Sequence, residues 1–514
     1  MGKRAIIKQG SPFIEVSADG EIPLSAIAYA PLEAALTYTH ITFEFGQKYK
    51  GDTGRGNQMK PKERRLFQYD AQGRLVCQKG FYSKVRGLLE AAGFEVIFIN
   101  KDAPKADEIY TADWDRIFEK FQLRPQQDTC LAQIDMHDGG LIDAPPAFGK
   151  THVMAMIACM YPHAKIDVVT KRKDVVGRIK NLMTRWVPSI GQIGGGKKDR
   201  DRRVTVYTAD SLHHSDFNAD ILLADEAHEL MTDRLAEQLS RYWHSRNFCF
   251  TATPDTRLDN AHFRLEGIFG PRIFRMTQQE AEAAGLVSHI YVQWIDVDCE
   301  GHDPVGQLQQ STAQKRAGIW RNIWRNQAVV EAARSFLADK LQVLIMVDTV
   351  DHAMHLRELM PEATLVYGEG SVDAAKHTSY VRAGIVTEEE FMTPQRRVEL
   401  GQQFERRELM CVIATGVWST GVSFDSLNVM IRADAGDSDT ANVQVPGRVC
   451  RIHPESGKQA GILVDFNDKW NTKFHGRSVN RRRTYHKRGW TQLSQNGDVW
   501  DPGKRGKRVG TSRH

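Results

Sequence analysis

APPAFGKT, residues 144–151, follows the apolar run GLIDA and leads directly into THVMAMIACMY. A strand, a Gly-containing turn and a helix in that order are what a phosphate-binding loop requires. Its backbone N–H groups, with those of the helix start, would cradle the β- and γ-phosphates of a nucleotide. Pro146, Ala147, Phe148 and Gly149 form the expected cradle. Lys150 supplies a cation, and Thr151 a hydroxyl for Mg²⁺. Ala144 stands where the general pattern has its first Gly.

Outward from this loop, short apolar runs alternate with helical ones. IDVVT is followed by KRKDVVGRIKNLMTRW, and ADILLADEA by HELMTDRLAEQLSRYW. Such alternation marks a parallel sheet covered by helices. It spans residues 116–285 and recurs over 286–470, where VLIMVDT, MCVIATGV, NVMIRAD and AGILVDF are the candidate strands. Residues 1–115 read as a small α+β module. In it GFYSKVRGLLEAAGFEVIFIN (80–100) is a helix, a break at Gly93 and a strand. GQKYKGDTGRGNQMKPKERR (46–65) has the composition of a basic loop. Residues 301–330 read as helical, with Trp320 and Trp324 four apart; core packing is the expected role of the two rings, base stacking the alternative.

Four more signatures follow the loop in order: ADEAH (224–228), TATP (251–254), ATGVWSTGVSF (414–424) and QVPGRVCR (444–451). ADEAH ends an apolar strand in two carboxylates, at the end where ligands sit in such sheets. Asp225 would hold Mg²⁺, largely through water. Glu226 would act as general base on the attacking water, and His228 would sense the γ-phosphate. Thr251 and Thr253 fit a link between nucleotide state and strand binding. Arg448 and Arg451, three apart on one helix face, suit charge stabilisation on a transferred phosphoryl group. They lie some 300 residues from the loop, so they would reach the nucleotide only by closure of two lobes. In FQLRPQQ (121–127), Gln127 has the amide geometry to read an adenine edge and Phe121 would pack on the base; the start of a surface helix is the alternative.

The bulk numbers fit a globular chain of about three domains. Of 514 residues, 41% are hydrophobic and 26% charged, and no apolar run is long enough to span a bilayer. The opening MGKRAIIKQGSPF lacks the apolar core of a signal peptide, so a cytoplasmic location is expected. The seven cysteines are scattered, the closest two 29 positions apart. That spacing offers neither a zinc knuckle nor a disulfide framework. Net charge is +5, unevenly placed: from Lys469 onward there are 13 Lys/Arg against Asp498 and Asp501. A basic C-terminal extension (471–514) suits a phosphate backbone, with a solubilising tail as the alternative. Arg481, Arg482 and Arg483, interleaved with Tyr485 and Trp490, are its expected strand contacts.

With these motifs in place, the chain resembles superfamily 2 helicases carrying a DEAH sequence, and within them the XPB-like branch and the phage UvsW-type proteins. The matching positions are Gln127, Gly149, Lys150, Thr151, Asp225, Glu226, His228, Thr251, Thr253, Gly421, Gln444, Arg448 and Arg451. LRPQQ resembles that branch's LRPYQ, GIWRNIWRNQAVVEAARSF its Arg-Asn element, and HGRSVNRRRTYHKRGW the segment closing the core in phage members. The resemblance implies two RecA-like parallel-sheet lobes in tandem, preceded by a small α+β DNA-binding domain. It implies ATP and Mg²⁺ as cofactors, with Gly421 and Gln444 beside the nucleotide. It also implies movement on single-stranded and branched duplex DNA, 3′ to 5′, by a monomer acting beside recombination or replication proteins, as phage members do in the host cytoplasm. Strand contacts would come from Thr208, Thr251, Thr253 and Thr415, and from one or more of Thr170, Lys171 and Arg172, where VVTKRKDVV lacks the family's usual Pro. Ser423 stands where many relatives carry Asp. Two alternatives stay open: an RNA helicase, and the motor subunit of a restriction or defence complex with a separate nuclease.

Overall fold

The computed structural model describes residues 3–44, 58–100, 107–145, 148–171, 173–200, 202–252, 262–368, 370–418, 425–436, 447, 449, 458 and 460–500. The chain forms two compact units, Met1–Thr277 and Gln278–His514. No described helix is long and apolar enough to cross a membrane.

The core of the first unit is an eight-stranded sheet. Its strand order is Lys197–Asp199, Ile190–Gly194, Val204–Thr208, Ile166–Thr170, Ile221–Asp225, Arg246–Thr251, Gly139–Asp143 and Arg272–Arg275. Every pairing is parallel except the first, a short hairpin. The strands Ile166–Thr170, Val204–Thr208 and Ile221–Asp225 are buried along their whole length. A parallel sheet covered on both faces demands such continuous apolar runs. The helix Lys150–Met160 is buried from Val153 to Met160, so it is held as a core element while its first turn stays at the sheet's edge.

The N-terminal residues form a second, five-stranded sheet of order Phe67–Tyr69, Leu75–Gln78, Phe13–Ala18, Lys3–Gln9 and Phe94–Asn100. The helix Tyr82–Ala91 leads into its last strand through Gly93 at φ 81°. This sheet docks on the larger one: Lys79 Nζ donates to the carbonyls of Trp243 (2.6 Å) and Ser245 (3.0 Å), and Lys84 pairs with Glu266 at 2.6 Å. Gly80 lies so close to Glu266 and Gly267 that a Cβ would strike their backbone.

Of the stretch 46–65 expected to be a loop, residues 46–57 lie outside the described residues and 58–65 depart from that expectation. Gln58–Arg65 is a strand, paired antiparallel with Thr37–Glu44 in a separate two-stranded ribbon. Cross-strand pairing overrides the polar composition, and Pro61 is tolerated because a two-stranded ribbon consists of edges.

The second unit is a seven-stranded, all-parallel sheet. Its order is Thr364–Val366, Cys411–Ala414, Val343–Met346, Val429–Arg432, Ala460–Asp468, His289–Val297 and Thr491–Leu493. The helix Thr472–Lys487 and the last strand belong to this unit, so the first part of the basic extension is folded. The helical expectation for 301–330 holds only in part. Ser311–Lys315 is α-helical, Arg316–Trp320 a π-turn, and a new helix, Ile323–Ala338, starts at Asn322. The Asn322 side chain accepts from the Arg325 N–H (3.1 Å), a cap that ends one helix and begins the next. Trp320 is buried and Trp324 stacks on His302 at 5.7 Å.

Candidate nucleotide-hydrolysing site

At the C-terminal ends of the strands of the first unit, three of the expected motifs meet. Gly149 caps the helix Lys150–Met160 with φ 92° and ψ 36°, a left-handed conformation that a Cβ would strain. The turn presents the helix N-terminus, with its positive dipole end, to whatever lies above the sheet. Lys150 Nζ lies 3.3 Å from Glu226 Oε1 and 3.4 Å from the Ala144 carbonyl. Thr151 is half-buried in the first helical turn.

Ile221–Asp225 delivers the two carboxylates. Glu226 itself has φ 46° and ψ 50°. A non-glycine residue in this region costs on the order of 1–3 kcal/mol and tends to be kept at functional sites. The turn separates the neighbouring acids. Asp225 stays buried, and burial first, then the Glu226 charge, push its carboxyl up to about 7 against the pull of Lys150. Glu226 Oε2 is buried with no hydrogen-bond partner. His228 Nδ1 lies 3.5 Å from that oxygen and 2.8 Å from Thr251 Oγ1. The Ala144 N–H donates to the Thr251 carbonyl at 3.1 Å, so the phosphate loop, ADEAH and TATP are joined in one polar network.

Two crowded carboxyls, one carrying an orphan oxygen, beside a lysine and a free helix N-terminus, fit a nucleotide with a divalent cation. Thr151 and Asp225 are placed to serve the cation, Lys150 and the loop to serve the phosphates. Among the described residues, no cluster of three or more His, Cys, Asp or Glu side chains forms a ready-made protein metal cage. A cation shared with substrate phosphates does not need one.

Several expected residues sit differently. Gln127 is buried; its Nε2 donates to the Phe148 carbonyl (2.9 Å) and its Oε1 accepts from the Arg124 N–H (3.0 Å). The amide grips the phosphate loop itself. Phe121 is 8% exposed and packs on Trp186 at 4.9 Å, so its ring has a partner already; nothing in the sequence near LMTRW announced that contact. Thr251 is fully buried, with its hydroxyl on His228. Thr170 and Thr208 are neighbours in register, both buried, and the Thr208 hydroxyl donates to Ser211 at 2.8 Å. Side-chain contact to a strand from these three threonines conflicts with that burial. Lys171, just past the strand end, remains partly exposed.

In the second unit Thr415 follows the strand Cys411–Ala414 and is buried. Arg481 is corrected most clearly: it is fully buried, its Nε 2.9 Å from Oδ2 of the equally buried Asp465, and the same oxygen accepts from the Tyr485 hydroxyl at 2.7 Å. It braces the core and cannot touch a strand. Arg482 is half-buried, its guanidinium 4.5 Å from the Trp294 ring. Arg483 is exposed. The Arg-Asn element is likewise interior: Arg325 pairs with Asp468 at 3.0 Å, both fully buried. Pro146, Ala147, Arg172, Thr253, Gly421, Gln444, Arg448 and Arg451 lie outside the described residues.

Residues 120–256 match the family described as "Type III restriction enzyme, res subunit", and residues 328–453 the family described as "Helicase conserved C-terminal domain". The two matches support a superfamily 2 helicase core. They fall one in each unit and imply an ATP-hydrolysing helicase that uses nucleotide and binds nucleic acid. No curated protein matches the chain. Among solved structures, Saccharomyces cerevisiae Dbp5 bound to RNA and ADP BeF3 is 12% identical, covering 76% of this chain and 94% of its own, with a TM-score of 0.50. T4 UvsW is 15% identical over 96% of this chain and 99% of its own, with a TM-score of 0.41. A putative HsdR subunit fragment of a type I restriction enzyme from Vibrio vulnificus YJ016 is 14% identical over 93% and 99%, with a TM-score of 0.49. The helicase core therefore consists of two tandem RecA-like domains following an N-terminal α/β region.

Proposed function

We propose that the protein is an ATP-driven DNA motor that unwinds or remodels branched DNA in replication, recombination or repair, and that it is phage-encoded. The single observation behind the hydrolytic part is the connected set Lys150, Glu226, His228 and Thr251 at the end of one sheet. ATP with Mg²⁺, which Lys150, Thr151 and Asp225 would hold, would supply the phosphoryl group for transfer. Lys150 and the loop N–H groups orient the terminal phosphate. Glu226, held off the strand by its left-handed turn, accepts a proton from the attacking water. His228 links Glu226 to Thr251 and so to the segment that leads to the strand-binding region. Arg448 and Arg451, as the sequence resemblance implies, would stabilise charge on the transferred phosphoryl group. What supports DNA as the track is the LRPQQ and Arg-Asn sequence resemblance together with the basic C-terminal extension.

The test is steady-state ATPase with no nucleic acid, single-stranded DNA, duplex DNA, a four-way junction and single-stranded RNA, beside Lys150→Ala. Stimulation by DNA, highest with the junction and lost in the variant, is expected. Equal stimulation by RNA would turn the assignment to an RNA helicase. The match of residues 120–256 to a restriction subunit favours one second reading, the motor of a restriction or defence complex. Copurification with a nuclease would establish it.

A further inference from the structure

GQIGGGKKDRDRR, residues 191–203, carries five Lys/Arg against Asp199 and Asp201. It builds the hairpin Ile190–Gly194/Lys197–Asp199 at the outer edge of the first unit's large sheet. Gly194, Gly195 and Gly196 turn it, with φ of 119°, 61° and 84°. A Cβ on Gly194 would strike the Thr208 side chain, so the turn is pinned to the end of the strand beside it. The register sets Lys198 opposite Ile193, and Ile193 beside Tyr207. These three share a face, the one on which the short helix Ala209–His214 packs through Ala209 and Leu212. At the end of that helix the His213 and His214 rings lie 4.0 Å apart. Desolvation, then the charges of His213, Arg200 and Lys198, hold the His214 imidazole below its usual value. Arg203 is taken up inside, donating to the carbonyls of Ala158, Tyr161 and Ala164. Asp199 is held by Arg202 at 3.4 Å and Lys180 at 3.5 Å. Lys197, Lys198 and Arg200 are exposed and carry no ion pair among the described residues. Asp201 lies outside those residues, and Asp210 is the single carboxylate of the short helix. Cations gathered in this way repel one another in the folded chain and suit a polyanion.

We propose that this edge holds the backbone of a nucleic-acid single strand, with Lys198 and Arg200 on its phosphates and the exposed His213 ring beside a base. The sheet sets the position. Ile193 pairs with Tyr207 and Thr208 with Thr170, so the hairpin's turn stands at the same end of the sheet as the hydrolytic site. From Ile221–Asp225 to Lys197–Asp199 are four strand steps, about 19 Å at the usual strand spacing. Lys171, partly exposed just past Thr170, lies between the two. From its strand to the hairpin is about 14 Å, some four phosphates of one strand. The hairpin thus supplies a contact that the buried Thr208 hydroxyl cannot. Basic side chains beside an exposed ring suit a single strand, whose bases are open to stacking. A phosphate backbone carries no sequence information, so the site reads none. The proposal rests on the nucleic-acid motor reading and adds to it which surface of the first unit holds the strand.

The test compares the full chain with Lys198→Gln/Arg200→Gln and with the charge-reversed Lys198→Glu/Arg200→Glu. A control, Arg334→Gln/Arg406→Gln, removes the same charge from exposed ion pairs of the second unit. Binding of a labelled oligothymidylate and of a blunt DNA duplex is followed by fluorescence anisotropy over a salt series, beside thermal unfolding. Each lost phosphate contact to a single strand lowers the slope of log affinity against log salt by about 0.7, so the Gln pair should lower it by about 1.4. The Glu pair should weaken single-strand binding further. The control pair should leave the slope unchanged, and the duplex should lose less affinity than the single strand. A slope indifferent to the Gln pair, an equal fall in the control, or an equal loss on the duplex would each overturn the proposal. Should the Glu pair unfold, the Gln pair, which removes charge without adding any, decides. The two ideas fail differently. An unaltered protein that binds no single strand sinks the motor reading and the site with it, whereas strand binding that ignores the Gln pair sinks only the site.

Discussion

Gly149→Ala should damage both the phosphate loop and the unit that carries it. Its φ of 92° lies where a Cβ costs about 1–2 kcal/mol. The new Cβ would stand 2.9 Å from Gln127 Nε2, which is the atom that grips the phosphate loop through the Phe148 carbonyl at 2.9 Å. Moving that amide leaves a buried donor and acceptor unpaired, at about 1–3 kcal/mol. The total, about 2–5 kcal/mol, emerges in one of two places. If the loop keeps its shape, the first unit loses that much stability, a fall in Tm of about 2 °C per kcal/mol for a unit this size. If the loop rearranges, affinity for a fluorescent ADP analogue falls tenfold for each 1.4 kcal/mol or so. Thermal unfolding and nucleotide titration on one preparation should together account for the whole. Gln127→Ala in the same chain removes the collision, so the double variant should cost less than the two singles summed, by about 1 kcal/mol or more. Additivity within about 0.5 kcal/mol, or a neutral Gly149→Ala, would refute the reasoning.

Three further outcomes follow from other parts of the molecule. Glu226→Gln should lower stimulated ATPase by about 10²–10⁴-fold, the range for a lost general base, with nucleotide affinity little changed; a smaller drop in single-turnover hydrolysis would reassign the base. Arg481→Ala breaks a fully buried ion pair and should cost about 3–5 kcal/mol in urea unfolding, whereas exposed Arg483→Ala should stay within about 0.5 kcal/mol. His352 is fully buried, its Nε2 3.0 Å from Asn326 Oδ1, and burial, aided by Arg325, holds its imidazole down at about 3. The unfolded chain binds that proton below about pH 6.5 and the folded one does not, so stability is complete above about 6.5 and falls by about 1.4 kcal/mol per pH unit toward 3. His352→Gln should remove that share of the slope between pH 7 and 5; an unchanged slope would show that His352 is not the group responsible.

Much of the fold was legible because it rests on local signals. The strands IDVVT, ILLAD, VLIM and VMIR are apolar runs bounded by helices, and a buried parallel strand has no other way to be written. Lys150, Asp225, Glu226 and His228 were legible because phosphate chemistry constrains spacing along the chain as well as in space. What escaped was set by partners distant in sequence. Gln58–Arg65 reads as a loop until Thr37–Glu44 is beside it, since its polar, Pro-containing composition has strand meaning only in a pair.

The arginines carry the same lesson further. Arg481, Arg482 and Arg483 are identical and consecutive in the sequence, yet a helix turns each by about 100° from the last. One therefore meets Asp465, one lies over Trp294 and one meets solvent. A count of charge in this segment measures attraction to a polyanion only after the inward-facing residue is removed. Arg325 and Arg481 are both neutralised inside the second unit, so any capacity to hold a phosphate backbone rests on fewer cations than the composition suggests. That makes the surface ones, Arg483 and Lys487 on the helix Thr472–Lys487 and Lys198 and Arg200 on the hairpin of the first unit, individually more consequential.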